Sequence, residues 1–185
     1  MAFIPSSLNL KLTSNRVCIT PFRLYNINLK YLSWLNDPKL MCYSNQQFTT
    51  HNIFTTLKYF FRMRMERNLF LSIYDIDSTT MIGTATIYFD FNHRISDIGI
   101  LIGHSRFLAR GYGTEAWNLL IQYLLSDSFT RKITAGCVES NLAMVRIIEQ
   151  SGLLFEARRH DHFLISNKPA SICYYGLLTH QSHLH

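Results

Sequence analysis

Charge is scarce in this chain. Only 16% of its 185 residues are Asp, Glu, Lys or Arg, against 48% hydrophobic and 14% aromatic, the reverse of the balance that keeps chains disordered, so intrinsic disorder is excluded. The deficit falls mainly on the acids: 12 Asp and Glu stand against 18 Lys and Arg, giving a net +6. That excess favours anionic partners, whether nucleotides, phosphorylated cofactors or nucleic acid. Proline (4) and glycine (8) are sparse and scattered as punctuation, with no repeat and no linker, so one domain over 1–185 is expected. Its end, 179–185, is polar and histidine-rich and reads as a flexible tail.

Long apolar runs are missing as well. Ile98 to Gly103 is short, and Ala116 to Leu125 is broken by Asn118 and Gln122, well below the roughly 20 residues of a membrane span; no membrane partner is expected. The opening Met-Ala-Phe-Ile-Pro-Ser-Ser-Leu carries no basic leader, apolar block and cleavage site, so a cytoplasmic location is expected. Cys18, Cys42, Cys137 and Cys173 form no C-x-x-C pair, against a zinc knuckle or a disulfide framework. No lysine follows Gly113, and Ala116 stands where a third glycine would complete G-x-G-x-x-G, so neither ATP nor NAD is favoured.

What is present alternates between two periods. Arg16 to Leu24, Leu69 to Tyr74, Met81 to Phe89 and Ile95 to Ile102 read as strands. Asn28 caps a short helix that stops at Asn36-Asp37-Pro38, and Thr50 is placed to cap a second one carrying Ile53, Leu57, Phe60 and Phe61. Gly99 interrupts its strand and marks a bulge or a close approach of backbone or ligand. A helix follows from Tyr112 through Leu125, then a strand Lys132 to Val138, a helix opened by Asn141 and closed at Ser151-Gly152, and strands Leu153 to Arg158 and Ile172 to Leu177. This is mixed α/β architecture with a parallel crossover.

The informative segment is Leu108-Ala109-Arg110-Gly111-Tyr112-Gly113-Thr114-Glu115, between a buried strand and an amphipathic helix. Glycines allow close backbone approach, and the unpaired amides of a helix start favour an anion such as a diphosphate. Arg110 adds a positive charge and Thr114 a hydroxyl. A turn that needs glycine only for its geometry accounts for the same residues.

This run resembles a known family. Ser96-Asp97-Ile98-Gly99-Ile100-Leu101-Ile102-Gly103, then Ala109 to Ala116, Glu139-Ser140-Asn141 and Glu149-Gln150-Ser151-Gly152-Leu153 are similar to the GNAT superfamily of acetyl-coenzyme A-dependent N-acetyltransferases. Gly111 and Gly113 match its (Q/R)-x-x-G-x-(G/A) hallmark, while Leu108 stands where glutamine or arginine is commonest. Upstream, Tyr31-Leu32-Ser33-Trp34-Leu35-Asn36-Asp37-Pro38 resembles the branch of ribosomal-protein N-terminal and bacterial amino-sugar acetyltransferases.

The resemblance implies a central, mostly antiparallel mixed sheet, splayed between its fourth and fifth strands (95–102 and 132–138) and flanked by about four helices. It implies acetyl-coenzyme A as co-substrate, its diphosphate on the turn 109–114 and its pantetheine arm beside the backbone of Leu101, Ile102 and Gly103 and beside Asn141. Asn141 is equally explained as a helix cap. Asp97 is the candidate base or amine-orienting carboxylate, with a solvent-facing edge aspartate as the alternative. Tyr174 and Tyr175 are candidates to protonate the departing thiolate, or else core residues. The acceptor is a small-molecule amine, first a nucleotide-linked amino sugar and second a protein N-terminus, contacted by Tyr43, Asn45 and Gln47; a homodimer is also admitted.

Other groups have simpler roles open to them. His160 and His162 flank Asp161 without a third ligand nearby, and no metal is expected. Arg62, Arg64 and Arg67 either bind an anionic acceptor or form a solvated helix face. Cys137 has no histidine neighbour and reads as a structural thiol, and Trp34 and Trp117 as packing residues. A catalytically silent module that binds acyl-coenzyme A or nucleic acid is the rival reading; no basic stripe with interleaved aromatics gathers, which argues against nucleic acid.

Overall fold

The computed structural model describes residues 9–179, so 180–185 of the expected tail lie outside the described residues. Thr179 belongs to the folded body: it is buried, and its hydroxyl donates to the carbonyls of Thr130 and Arg131 at 2.7 and 3.2 Å. One sheet holds the strands β1 (Leu12–Thr13), β2 (Val17–Pro21), β3 (Leu69–Asp75), β4 (Met81–Asp90), β5 (Ile95–Ile102), β6 (Lys132–Val138), β7 (Leu154–Ile165) and β8 (Lys168–Leu178). Its order is β1-β2-β3-β4-β5-β6-β8-β7, and β5 with β6 is the parallel pair among antiparallel ones. The helices are α1 (Leu29–Leu35), α2 (Pro38–Met41), α3 (Ile53–Met65), α4 (Tyr112–Ser126) and α5 (Leu142–Gln150), so the expected mixed fold is present with five helices and a short extra first strand.

Helices cover both faces. On the back, the apolar stripe of α4 (Ala116, Trp117, Leu120, Ile121, Leu124) packs on Ile73, Ile82, Ile87, Ile98 and Ile133, with Ile148 of α5. Burying such side chains stabilises by about 1.5–3 kcal/mol each, and the Trp117 indole N–H is satisfied by Ser151 Oγ at 2.8 Å. On the front, an aromatic cluster of Phe22, Tyr31, Trp34, Phe60 and Phe70 fastens α1 and α3 to β3.

Three local expectations change. The cap of α3 is Asn52 rather than Thr50: Asn52 Oδ1 accepts from Thr55 N at 2.9 Å, and Thr55 Oγ1 accepts from Asn52 N at 3.0 Å, a reciprocal box that uses both orphan amides. Gly99 makes no bulge against β4, where Thr86↔Gly99 lies in unbroken register. The final hairpin is twice as involved as its apolar pattern suggests, since β7 runs on through exposed residues, with register shifts between Phe155 and Ala157 and between Arg159 and Phe163.

Candidate active site

The site begins where β5 and β6 part. Their ladder runs through Ile95↔Lys132, Ser96↔Ile133 and Asp97↔Thr134 and then ends. Gly103 N–H donates to the Ile82 carbonyl on one side of β5, and Arg131 N–H donates to the Arg94 carbonyl on the other, at 2.9 and 2.8 Å. Because hydrogen-bonding direction alternates along a strand, odd-numbered residues of β5 turn their backbone to β4 and even-numbered ones to β6. Beyond the fork, Ile100 and Ile102 therefore present N–H and C=O to the gap. Of the expected set of Leu101, Ile102 and Gly103, Leu101 turns its backbone groups to β4 and Gly103 gives its N–H there, while Ile102, with Ile100, faces the gap. Gly103 has a packing reason instead, as a Cβ there would overlap the Trp34 indole.

At the end of β5 the chain turns into α4. Ala109 (φ +56) and Gly111 (φ +84) are both left-handed and bracket Arg110 in the kind of turn that makes anion-binding concavities. The amides of Gly111, Tyr112, Gly113 and Thr114 have no acceptor among the described residues; the first to find one is Glu115, on the Gly111 carbonyl at 3.0 Å. A Cβ on Gly113 would meet Ile147, Ile102 and Ile100 at 3.5–3.7 Å, ordinary contact, so it is Gly111 whose glycine the backbone requires.

A clasp that no single-sequence signal marks fixes this turn. Arg16 reaches Glu115 through Nε at 2.8 Å and Nη2 at 2.7 Å, donates Nη1 to the Arg110 carbonyl at 3.2 Å, and lies 4.6 Å over the Tyr112 ring. Ser14 Oγ and Arg16 N–H also donate to Glu115. Burial alone would push the Glu115 carboxyl up; the hydrogen bonds from Ser14 and Arg16, with the guanidinium charge, more than offset it and hold the carboxyl below its ordinary value. Tyr112 gives its hydroxyl to Asp75 at 2.9 Å, which leaves only its amide for a ligand.

On the front face lies a cavity of about 660 Å³. Its floor is Phe70, Thr84, Thr86, Tyr88, Gly99, Ile100 and Leu101, so it meets the fork at Ile100, and Tyr31, Lys58, Tyr59 and Arg62 cover it. Tyr59 and Tyr88 share a hydroxyl contact of 2.7 Å. Burial raises the phenols of Tyr31 and Tyr59 far above their usual value, so both stay protonated donors at any working pH. Lys58 and Arg62 bring positive charge, and among the described lining residues there is no aspartate or glutamate.

The structure sorts the expected site residues. Asp97 is the last paired residue before the fork, directly across from Tyr88 of the cavity lining and two residues before Gly99, without itself lining the cavity. Although its side chain opens to solvent on the front face, the walls around it displace water and raise its pKa, against the 2.8 Å hydrogen bond from Thr134 Oγ1. Tyr174 lies half-buried on the front, its ring against Gly136. Tyr175 points the other way and is a core residue, 3% exposed, with burial pushing its phenol to about 12; it is removed from the candidate acids. Asn141 lines the cavity and caps α5, accepting from Met144 N at 3.3 Å. Tyr43 lines the cavity, but Asn45 and Gln47 do not. Gln46 replaces them there, and Gln47 instead donates to the Leu164 carbonyl at 3.1 Å and ties its loop to β7. Cys137 is buried, its thiol pushed to about 11 by burial.

The chain has counterparts among known proteins. It superposes on a ribosomal alpha-N-protein acetyltransferase in complex with coenzyme A (TM-score 0.81, 11% identity, 92% of this chain and 98% of that one). It superposes likewise on a microcin self-immunity acetyltransferase in complex with acetyl-CoA and AMP (0.76, 17%, 89% and 93%). A third is spermidine N-acetyltransferase from Vibrio cholerae in complex with CoA and spermine (0.77, 15%, 90% and 97%). At such identities these share the fold. No curated protein sequence matches the chain. Residues 16–154, which run from the Arg16 clasp through the fork and the turn to the start of β7, match the model of the acetyltransferase (GNAT) domain, and the chain accordingly belongs to the GNAT family of acetyltransferases, whose acyl donor is acetyl-coenzyme A.

Proposed function

We propose that the protein acetylates the amine of a nucleotide-linked amino sugar held in the front-face cavity. The observation that carries this reading is the lining: many hydroxyls, two cations and no carboxylate among the described residues. A polyamine, with several ammonium groups, would leave its charges uncompensated there, whereas a sugar meets donors and acceptors on every side and a phosphate meets Lys58 and Arg62. That a structural neighbour is a complex with both acetyl-CoA and AMP supports an acceptor that carries a nucleotide.

The residues at the fork fit the acyl donor. The unpartnered amides of 111–114 beside Arg110 suit its diphosphate, Ile100 and Ile102 offer backbone partners to its amide-bearing arm, and Asn141 stands at the same edge. The donor supplies an activated thioester. Asp97 is the group that takes a proton from the attacking ammonium, directly or through water, and Tyr174 the one that returns a proton to the departing thiolate. A backbone N–H facing the developing oxyanion can contribute about 3 kcal/mol.

The test is thiol release by purified protein with acetyl-CoA and four acceptor sets: nucleotide-linked amino sugars, free amino sugars, polyamines and N-terminal peptides. The expected result is the highest kcat/KM on the nucleotide-linked set. A protein N-terminus is the second reading, motivated by the ribosomal neighbour, and higher kcat/KM on peptides would put it first. Inactivity on both sets removes the first and second readings together.

A further inference from the structure

We infer that Lys58 and Arg62 form a phosphate-binding subsite for the acceptor, distinct from the donor's cradle at 111–114. The inference rests on the nucleotide-linked reading above and names the residues that would recognise it.

The helix α3 presents Thr55, Lys58, Tyr59 and Arg62 to the cavity, the i, i+3, i+4, i+7 stripe of one helical face. Placing two cations one turn apart works against the helix, and nothing local relieves it. Among the described residues the ion pairs are Arg16–Glu115, Lys132–Glu156 and Arg158–Glu139, none of which involves α3. Arg62 is nonetheless oriented, its guanidinium 5.3 Å from the Tyr59 ring centroid, so its fork of donors is held near the cavity without a carboxylate partner. Arg64, by contrast, packs over Phe60 away from this stripe.

The neighbouring threonine hydroxyl is not part of this set. Thr56 lines the cavity, is 2% exposed, and its Oγ1 has no hydrogen-bond partner among the described residues. A helical threonine usually donates back to the carbonyl four residues earlier. Here that carbonyl, of Asn52, already receives Thr56 N–H and Thr55 Oγ1, each at 3.0 Å. That hydroxyl is sealed within the wall, since Thr56 stands two residues before Lys58 on the face of α3 that carries Phe60 and Met63 into the core. The donors that face the cavity are one bidentate cation, Arg62, and one point charge, Lys58, with no carboxylate among the described lining residues, and these suit a phosphate or diphosphate.

The probe is UDP, titrated by calorimetry into protein saturated with coenzyme A, so that the cradle is already filled. UDP is expected to bind, more weakly as salt rises, and to lose about tenfold or more in affinity in Lys58→Gln and in Arg62→Gln, whose exposed side chains leave the fold intact. Thr56→Val, isosteric and apolar at a sealed position, is expected to leave the affinity for UDP unchanged. In turnover, Arg62→Gln is expected to raise KM for a nucleotide-linked amino sugar about tenfold with kcat within about twofold and KM for acetyl-CoA unchanged. Failure of UDP to bind the CoA-saturated wild type, or equal binding by the double Lys58→Gln, Arg62→Gln variant, overturns the subsite. UDP binding that depends on these residues while no amino sugar is acetylated leaves the subsite standing and sinks the acceptor reading alone.

Discussion

Gly111 and Ala109 share the left-handed region, yet only one of them is glycine. An L side chain there costs about 1–2 kcal/mol, so Ala109→Gly is expected to raise stability by about 0.5–1 kcal/mol after the entropy of a freer unfolded chain is deducted. Gly111→Ala is expected to lower it by about 1–2 kcal/mol, and to weaken coenzyme A binding because the turn relaxes away from the conformation that leaves its amides open. Gly113→Ala, in ordinary contact only, should retain the fold. Urea denaturation with coenzyme A calorimetry on the three variants reads both effects, and equal losses at 111 and 113 would contradict the geometry. Asp97 yields a pH prediction. Its carboxyl titrates above the ordinary value because water is displaced around it, and the base form is the one lacking the proton. Therefore kcat/KM is expected to rise with pH through that raised pKa and then level. Asp97→Asn should lower kcat by about 100-fold or more and erase the limb; an unchanged acid limb in the variant would assign the base elsewhere.

Among the elements, legibility followed whether a segment's two faces differ. Ile95–Ile102 is rich in isoleucine and Lys132–Val138 alternates deeply buried with more open positions, and both are readable to the residue. The stretch Arg158 to His162 of β7 is exposed throughout, so no alternation records it as a strand; Arg158 and Arg159 are held by pairing with β8, and the next three residues lie in a register shift. Thr50 loses the cap of α3 because Asn52 stands three residues before Thr55 and forms the reciprocal box. The clasp was illegible for another reason: Arg16 and Glu115 lie 99 positions apart, and nothing local in either segment points to the other. Its weight can be measured. Glu115→Gln is expected to cost about 1–2 kcal/mol near neutral pH, where it removes charge-assisted hydrogen bonds. Since the folded carboxyl lies below its ordinary 4.5, the stabilisation is complete above that value and lost as pH falls through the folded pKa. Wild type should therefore lose stability faster than Glu115→Gln over that acid window, and parallel curves would show that the clasp is not the titrating contact.

Taken as a whole molecule, the sheet sets two openings against each other. The donor turn lies where β5 ends, and the cavity lies under α3 on the front face; they meet at Ile100 near the fork. The turn was visible in the sequence because its glycines are contiguous with the strand and helix they join. The cavity was not, since Tyr31, Tyr59, Tyr88 and Arg62 come from three separate segments and become neighbours only through the β3–β4–β5 register and the packing of α1 and α3. Two separate anion sites have a thermodynamic consequence. A ligand that binds only the native state at about 100 times its Kd stabilises by about 2.7 kcal/mol, and in a domain of this size each kcal/mol raises Tm by about 2–4 °C. Coenzyme A alone is thus expected to raise Tm by about 5–10 °C, and UDP added on top at its own saturating concentration to raise it again by a similar amount. If UDP used the coenzyme A cradle, the second increment would vanish through competition. Arg62→Gln, at about a tenfold loss of affinity, is expected to cut the second increment by about half and keep the first, and Gly111→Glu, which crowds the turn and sets a negative charge against the incoming diphosphate, to remove most of the first and keep the second.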